Sequence, residues 1–305
     1  MTDNLRASLL MVAAMAGFAV EDLLIKLLAD TVPVGQILLM LGLGGSVFFG
    51  LVSAGLGQSI WSRSLLTGPV LLRNAAEMVS TGTGVLALTL IPLSLASSVL
   101  QAAPILVTLG AALILREQVG WRRWSAIVVG IAGVWLILRP GTEGFNPAVW
   151  LAVIAVVALA ARDLATRVVS ARISTLQLVF WGYSLSIPAG LILFVTLAET
   201  PVWPGAAAWL MFGAAQVLGI AFYYTLTLAL RIGEPSLVVP FRYSRLVFAL
   251  ALGVLVLGEK PDGWMLAGLA LVTASGLYTL LREAKRSRAA KSSVAQASPA
   301  ASLPL

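Results

Sequence analysis

The sequence of 305 residues contains no cysteine and no histidine. Without cysteine the chain can form neither a disulfide nor a thiolate metal site. Without histidine it lacks the usual zinc, copper and haem ligand, and it lacks the side chain whose charge changes near neutral pH. Thiol chemistry, metal sites of these kinds and histidine proton relays are therefore excluded, and no cofactor is expected.

Charged residues are also scarce. They make up 11% of the chain, against about 25% in a typical soluble protein. Hydrophobic residues make up 59%, and the mean hydropathy is +0.97. A fold in water cannot hide this much apolar surface, so the expected partner is a lipid bilayer. The net charge of +7 is attributed to basic loops and a basic C-terminal segment, not to nucleic acid binding.

Long apolar runs recur between short polar breaks, and each is close to the ~20 residues that a helix needs to cross a membrane. Ten such spans are predicted: 6–28, 34–56, 67–90, 94–115, 123–139, 147–168, 174–197, 208–231, 236–257 and 263–282. The sequence therefore predicts an all-α integral membrane protein with ten transmembrane helices. Residues 284–305, rich in alanine, serine, lysine and arginine, are predicted to form a disordered basic cytoplasmic tail.

The two halves of the chain are similar to each other. A shift of about 141 residues, with small gaps later in the chain, superimposes matching residues: Asp22 on Asp163, Lys26 on Arg167, Gln36 on Gln177, Glu117 on Glu259 and Trp121 on Trp264. We therefore predict two five-helix repeats, residues 6–140 and 147–283. Because five is an odd number, the second repeat would enter the membrane in the opposite sense, as in the inverted repeats of many secondary transporters.

The distribution of basic residues predicts the orientation. Arginine and lysine are concentrated in the loops that share a side with the two termini, and they are rare in the loops on the other side. Because cytoplasmic loops carry the excess of basic residues, both termini are predicted to be cytoplasmic. The expected location is a bacterial-type inner membrane, crossed many times.

Short motifs carry a resemblance to a known family. The stretches Leu115–Trp121 and Leu257–Trp264 each place a glutamate before Gly-Trp. Together with Ile91–Ala96 and Ala103–Ile105, they resemble the EamA-type drug/metabolite transporters over about residues 6–283. The resemblance implies a ten-helix transporter with a central cavity, a small-molecule substrate and no enzymatic activity. It favours export of amino acids or related metabolites by alternating access, and leaves monomer and homodimer open.

Charged side chains inside the predicted spans point to the pathway. Each costs about 2.5–3.5 kcal/mol at the centre of a helix in lipid, so they must face the bundle interior or a wet cavity. Eight are placed within spans: Glu21, Asp22, Arg73, Glu77, Arg162, Asp163, Arg242 and Arg245. Acids and bases balance, so a zwitterion or a small organic anion fits better than a plain cation. A permease for a small organic anion, with proton coupling as an option, is the alternative function.

The spacing of the charged residues along the first span predicts which of them form pairs. Asp22 and Lys26 are four residues apart, as are their equivalents in the second half, and we predict that each pair forms a structural ion pair on one helix face. This leaves Glu21 and Arg162, which occupy equivalent positions in the two repeats. They are predicted either to pair with each other or to bind substrate.

Arg73 and Glu77 also share a helix face. Their equivalents in the second half, Ala214 and Leu218, are apolar, so the two halves differ here. The pair is either a buried salt bridge or part of the substrate pathway. Glu77 and Asp163 are predicted to carry any coupled proton, because among these candidates only a buried carboxyl group can titrate near neutral pH.

Arg242 and Arg245 share a face of the ninth span, and neither has an acid three or four residues away. The planar guanidinium suits a carboxylate or phosphate, so both are predicted to bind substrate. Gln101 occupies the position equivalent to Arg242 and is predicted to face it across the cavity. The alternative is that the arginines pair with Glu77 or Glu21.

Tyrosines within the spans need partners for their hydroxyl groups, so Tyr224 or Tyr243 is predicted to line the cavity. The sequence contains no phosphate loop, metal cluster or nucleophile triad. ATP-driven transport and membrane-bound hydrolysis therefore lack support. A membrane scaffold or receptor would need neither balanced intramembrane charges nor an inverted repeat.

Overall fold

A computed structural model describes residues 3–116, 120–141, 145–169, 173–233 and 235–297. This part of the chain is built from helices, with two short 3-10 turns at Arg63–Leu66 and Val239–Tyr243. The helices are α1 (Asp3–Leu28), α2 (Val34–Gly55), α3 (Gly68–Leu90), α4 (Leu93–Leu100), α5 (Ala103–Leu113), α6 (Trp121–Leu138), α7 (Val149–Arg167), α8 (Thr175–Thr196), α9 (Ala206–Ile232), α10 (Pro235–Val238), α11 (Ser244–Leu255) and α12 (Gly263–Ala297).

The helices confirm an all-α integral membrane protein. In the described residues, eight helical stretches are long and apolar enough to cross a membrane. Each of the ten predicted spans coincides with one or two helices, and the ends agree within a few residues except at the C-terminal end of α12, which continues beyond 282. The third span, α3, is not among the eight, and it carries two charged side chains in its first half. The ninth is divided into pieces that are each too short.

The fourth and ninth spans are broken, although the sequence predicted continuous helices over 94–115 and 236–257. Between α4 and α5 the helix is interrupted at Gln101 and Ala102, just before Pro104. Between α10 and α11 it tightens into a 3-10 turn that contains Pro240. Proline lacks an N–H and clashes with the preceding turn, which favours an interruption at both places. Broken helices expose backbone groups inside the bundle, where a transporter can use them.

Helices of the first half pack on helices of the second. The most extensive pairs are α1 with α9, α2 with α8, α3 with α7, and α6 with α12, while α4 packs on α11. At two of these crossings the backbones nearly touch. A Cβ at Gly190 would lie 2.6 Å from the carbonyl oxygen of Gly35, and one at Gly133 would lie 2.8 Å from that of Gly268. Only glycine permits these approaches.

The C-terminal end of α12 differs from the prediction. The sequence predicted a disordered tail from residue 284, whereas α12 continues to Ala297. Alanine, lysine, arginine and glutamine are good helix formers, and extending an existing helix avoids the cost of nucleation. Residues 298–305 lie outside the described part of the chain. So does Glu117, the first-half member of the Gly-Trp motif.

Candidate functional site

Two cavities inside the bundle meet at Asp163, which lines both. The larger has a volume of about 500 Å³ and is lined by Arg73, Glu77, Thr81, Arg162, Asp163, Thr166, Thr175, Leu178, Val179, Gly182, Tyr183, Ser186 and Tyr223. The smaller has a volume of about 280 Å³ and is lined by Ser97, Leu100, Gln101, Ala103, Pro104, Val107, Thr108, Leu159, Asp163, Val239, Arg242, Tyr243, Arg245 and Leu280. The smaller cavity therefore contains both helix breaks.

A chain of ion pairs forms one wall of the larger cavity. Arg73 of α3 lies 3.3 Å from Glu77, one helical turn further on. Glu77 also lies 3.2 Å from Arg162 of α7, and Arg162 lies 2.7 Å from Asp163. Both acids predicted to carry a proton are thus paired with arginine. The two positive and two negative charges neutralise one another across the α3–α7 seam.

Aromatic rings also form part of the wall of the larger cavity. Tyr183 of α8 and Tyr223 of α9 line it. Behind them Phe49 stacks on Tyr183 with ring centroids 5.6 Å apart, and it meets Tyr223 edge to face at 6.5 Å. Of the two tyrosines predicted as candidates to line the cavity, Tyr243 lines the smaller one, whereas Tyr224 lines neither cavity and is 69% exposed. Successive residues of a helix point about 100° apart, so its neighbour occupies the inner face.

The smaller cavity is the one in which Arg242 and Gln101 meet. The side-chain amide of Gln101 donates a hydrogen bond to the carbonyl oxygen of Arg242 at 3.2 Å. The guanidinium of Arg242 has no hydrogen bond or ion pair with any described residue, and it is attracted by Asp163 without touching it. Its side chain is accessible because it faces the cavity. A free guanidinium in a confined space is a binding site for an anion.

Two buried hydroxyl groups line the same cavity without partners. The Oγ of Ser97 and the phenolic oxygen of Tyr243 have no hydrogen-bond partner among the described residues. Buried polar atoms are almost always satisfied, so an unsatisfied one inside a cavity indicates a ligand or water. The sequence singled out Tyr243 but not Ser97, whose run of small residues is typical of helix packing.

Arg245 and Lys26 do not behave as predicted. Arg245 of α11 lies 2.6 Å from Asp22 of α1, so it pairs with neither Glu77 nor Glu21. Lys26 is therefore not the partner of Asp22. It donates to the carbonyl oxygens of Leu88 and Ile91 at 2.7 and 2.6 Å. Arg245 reaches Asp22 because α11 packs on α1. Lys26 reaches the end of α3, where the last carbonyl groups lack partners within their own helix.

Glu21 and Arg162 were predicted as possible partners, and this pairing is wrong. Arg162 binds Glu77 and Asp163 in the α3–α7 seam, whereas Glu21 lies in the α1–α9 seam. Within the described chain, Glu21 forms no hydrogen bond or ion pair. The expected Asp163–Arg167 pair cannot be assessed, since the side chain of Arg167 lies outside the described residues.

The opposite end of the bundle is closed by carboxylates at helix N-termini. Glu259 accepts hydrogen bonds from the backbone N–H groups of Leu93 and Ser94 at the start of α4, at 2.5 and 3.0 Å. Glu199 accepts from those of Val34 and Gly35 at the start of α2, at 3.0 and 2.9 Å. These bonds tie loops of the second half to helices of the first. The sequence marked Glu259 by its motif but gave no sign of Glu199.

An exposed ion pair joins two loops at this closed end. Asp262 pairs with Arg139 and accepts a hydrogen bond from the N–H of Met265 at 2.8 Å. The Met265 N–H, followed by the nearby Arg139, lowers the pKa of the Asp262 carboxyl below its ordinary value of 3.8. Among the described residues no group of three acidic side chains is placed to hold a metal ion.

Comparison with known proteins adds a family and several relatives. The model of the EamA-like transporter family matches residues 5–139 and 146–281. A riboflavin transporter of Vibrio cholerae serotype O1 is 30% identical over 65% of this chain and 66% of its own length. An S-adenosylmethionine uptake transporter of Rickettsia prowazekii is 26% identical over 65% and 66%. This chain thus matches about two thirds of each.

Two further comparisons extend over more of the chain. The pseudopaline exporter CntI of Pseudomonas aeruginosa is 26% identical over 88% of this chain and 93% of that protein. A solved crystal structure matches with a TM-score of 0.57 and 22% identity, over 92% of this chain and 98% of that one. At this identity the structural likeness supports the fold alone.

Proposed function

This chain belongs to the EamA-like transporter family, and on that premise we propose that it carries a small organic metabolite with a carboxylate or phosphate group across the inner membrane. Its relatives are transporters, so it is a multi-pass membrane transporter of small metabolites and not an enzyme. The two joined cavities are the proposed binding site. Arg73, Glu77, Arg162 and the aromatic wall line the larger part, and the Arg242 cavity receives the anionic group.

The single observation that supports this proposal most is the unpartnered guanidinium of Arg242. It lies in a cavity with two unsatisfied hydroxyl groups, those of Ser97 and Tyr243. A carboxylate or phosphate in this cavity would accept hydrogen bonds from the free guanidinium of Arg242. Without an anion this arginine has no counter-charge in contact, which is costly inside a membrane protein.

The names of the relatives bear on the substrate. They specify riboflavin, S-adenosylmethionine and pseudopaline, and none of these is a free amino acid. Amino-acid export, which the sequence favoured, therefore becomes one arm of the test rather than the proposal. The names include both uptake and export, so the direction of transport is also left to experiment.

We further propose that the two halves form an inverted repeat that works by alternating access. The packing supports this, because exchanging the first span with the sixth, the second with the seventh, and so on converts the α1–α9 seam into the α3–α7 seam. Both termini and the open ends of the cavities would face the cytoplasm. In that orientation the closed end, with Glu259 and Glu199, faces outward.

Liposome flux of a panel of compounds tests the function. The panel contains S-adenosylmethionine and amino acids, which carry a carboxylate, and riboflavin, which carries neither a carboxylate nor a phosphate and serves as the comparison without an anionic group. Each compound is measured with wild-type protein, with Arg242→Gln and with the exposed control Arg122→Gln. Hydrogen bonds to a charged group are worth about 1.5–3 kcal/mol, so Arg242→Gln should reduce the flux of a transported carboxylate on the order of 10–100-fold. Arg122→Gln should be unaffected. Equal flux in wild type and Arg242→Gln for every transported compound would contradict the assigned role.

A further inference from the structure

Within the described residues four carboxyl groups lie inside the bundle, and one of them differs from the rest. Asp22 pairs with Arg245, Glu77 with Arg73 and Arg162, and Asp163 with Arg162. Glu21 has no such partner among the described residues. Burying an ionised carboxylate without a counter-charge is far more costly than burying the neutral acid. Glu21 is thus the carboxyl group at which a bound proton changes the energy of this conformation most.

The surroundings of Glu21 offer space but no cation in contact. Its Oε1 lies 2.6 Å from the point where a Cβ of Gly219 would stand, so the carboxyl group occupies a notch in α9. The hydroxyl of Tyr183, from α8, lies 3.3 Å from that same point. Asp22, the adjacent residue on α1, adds a negative charge, and Arg245 of α11 adds a positive charge that is already bound to Asp22.

The position of Glu21 relates it to the other face of the transporter. It occupies the place in the first half that Arg162 occupies in the second, and Arg162 lines the open cavity. The α1–α9 seam around Glu21 is closely packed: a Cβ at Gly17, one turn earlier, would lie 1.9 Å from the ring of Phe222. If the two seams alternate, as proposed above, Glu21 becomes accessible only when the opposite side opens.

We propose that Glu21, rather than Glu77 or Asp163, is the carboxyl group that binds the proton coupled to transport. In the conformation described here the Glu21 carboxyl is neutral and enclosed between α1, α9 and Tyr183. When the α1–α9 seam opens, the proton is released to the opposite side, and the carboxylate must be protonated again before the seam closes. This inference depends on the transport mechanism proposed above.

Infrared spectroscopy tests the protonation state without any substrate. We expect purified wild-type protein in lipid at pH 7 to show the C=O stretching band of a protonated carboxylic acid. The band should be absent in Glu21→Gln and present in Glu77→Gln and in the exposed control Asp30→Asn. In Gly219→Ala, where the added Cβ displaces the carboxyl group, it should shift or disappear. Absence of the band from wild type, or its persistence in Glu21→Gln, would overturn the assignment.

A flux experiment separates this inference from the proposed function. Riboflavin and S-adenosylmethionine serve as probes in liposomes with and without a pH gradient. For a transported probe, the ratio of the two rates should differ from one in wild type and in Asp30→Asn, and should fall to one in Glu21→Gln. Equal ratios in wild type and Glu21→Gln would refute the coupling role alone. If neither probe moves, the choice of substrates is wrong, while the infrared band still decides whether Glu21 holds a proton.

Discussion

The α3–α7 seam and the α1–α9 seam, which the proposed inverted repeat relates to each other, differ in packing: one lines a cavity and the other is closely packed. In the first, Glu77 and Arg162 meet at 3.2 Å in the wall of a cavity of about 500 Å³. In the second, Phe222 lies directly against Gly17, and Glu21 lies in the notch of Gly219. Charged side chains can line a cavity that holds water, whereas an aromatic ring packed against a glycine leaves no space for water. The contrast is what one state of an alternating transporter should look like.

The largest expected effect concerns the ion pair that joins α11 to α1, a helix of the closely packed seam. Arg245→Gln leaves Asp22 charged and unpaired in α1. Removing one partner of a buried ion pair costs about 3–5 kcal/mol, so the unfolding temperature of the purified variant should be much lower than that of wild type. The double variant Arg245→Gln with Asp22→Asn should recover most of the loss. A single variant as stable as wild type would show that the pair does not hold α11 on α1.

The next effect concerns the closed end. Glu259→Ala removes a carboxylate that accepts hydrogen bonds from the N–H groups of Leu93 and Ser94. Hydrogen bonds to a charged group contribute about 1.5–3 kcal/mol, and the loss should appear in thermal unfolding. Lys260→Ala, at the adjacent exposed position, is the matched control and should change little. If both variants unfold alike, the cap at α4 does not secure this end.

Glycine-to-alanine substitutions compare the seams directly. At Gly17 the new Cβ would lie 1.9 Å from the ring of Phe222, so overpacking should cost about 1–3 kcal/mol. At Gly84 in the α3–α7 seam it would lie 3.5 Å from the Cβ of Ala155, an ordinary contact. There the substitution should be neutral or stabilise by about 0.5–1 kcal/mol. A lower unfolding temperature for Gly17→Ala than for Gly84→Ala would support the difference in packing between the two seams, and the reverse order would contradict it.

The smallest effect concerns the exposed pair at the closed end. Because the folded-state pKa of Asp262 is lowered, its contribution to stability is complete above the ordinary carboxyl pKa of 3.8 and is lost as the pH falls through the lower folded value. The difference in unfolding temperature between wild type and Asp262→Asn should therefore be small at pH 7 and vanish once the pH has fallen through the lowered folded pKa. If the difference in unfolding temperature between wild type and Asp262→Asn grew as the pH fell, the ionised Asp262 would not stabilise the folded state.

Sequence alone identified the spans well, because apolar runs of membrane length are a strong local signal. It missed the breaks, since proline does not decide by itself: Pro188 lies inside α8 without ending it, whereas Pro104 and Pro240 lie at interruptions. Local spacing found the Arg73–Glu77 pair, which lies within one helix. It could not find Arg245–Asp22, which joins residues 223 positions apart.

The sequence identified which side chains belong to the site, but it did not identify the residue that each of them contacts. Charges in lipid must face inward, so the candidates could be named without a structure. Which seam each occupies depends on how the two halves pack, and this separated Glu21 from Arg162. The choice between Tyr223 and Tyr224 required the rotation of α9, which no pattern in its uniformly apolar sequence specifies.

Reciprocal motion of the two seams is the most direct test of the account. Because the chain has no cysteine, spin labels can be attached to two exposed pairs: Thr67→Cys with Val168→Cys at the α3–α7 end, and Asp30→Cys with Ala206→Cys at the α1–α9 end. Pulsed electron resonance in liposomes then measures both distances before and after addition of a transported probe. The account predicts that the first distance shortens while the second lengthens. An α1–α9 distance that stays constant while the probe is transported would contradict it.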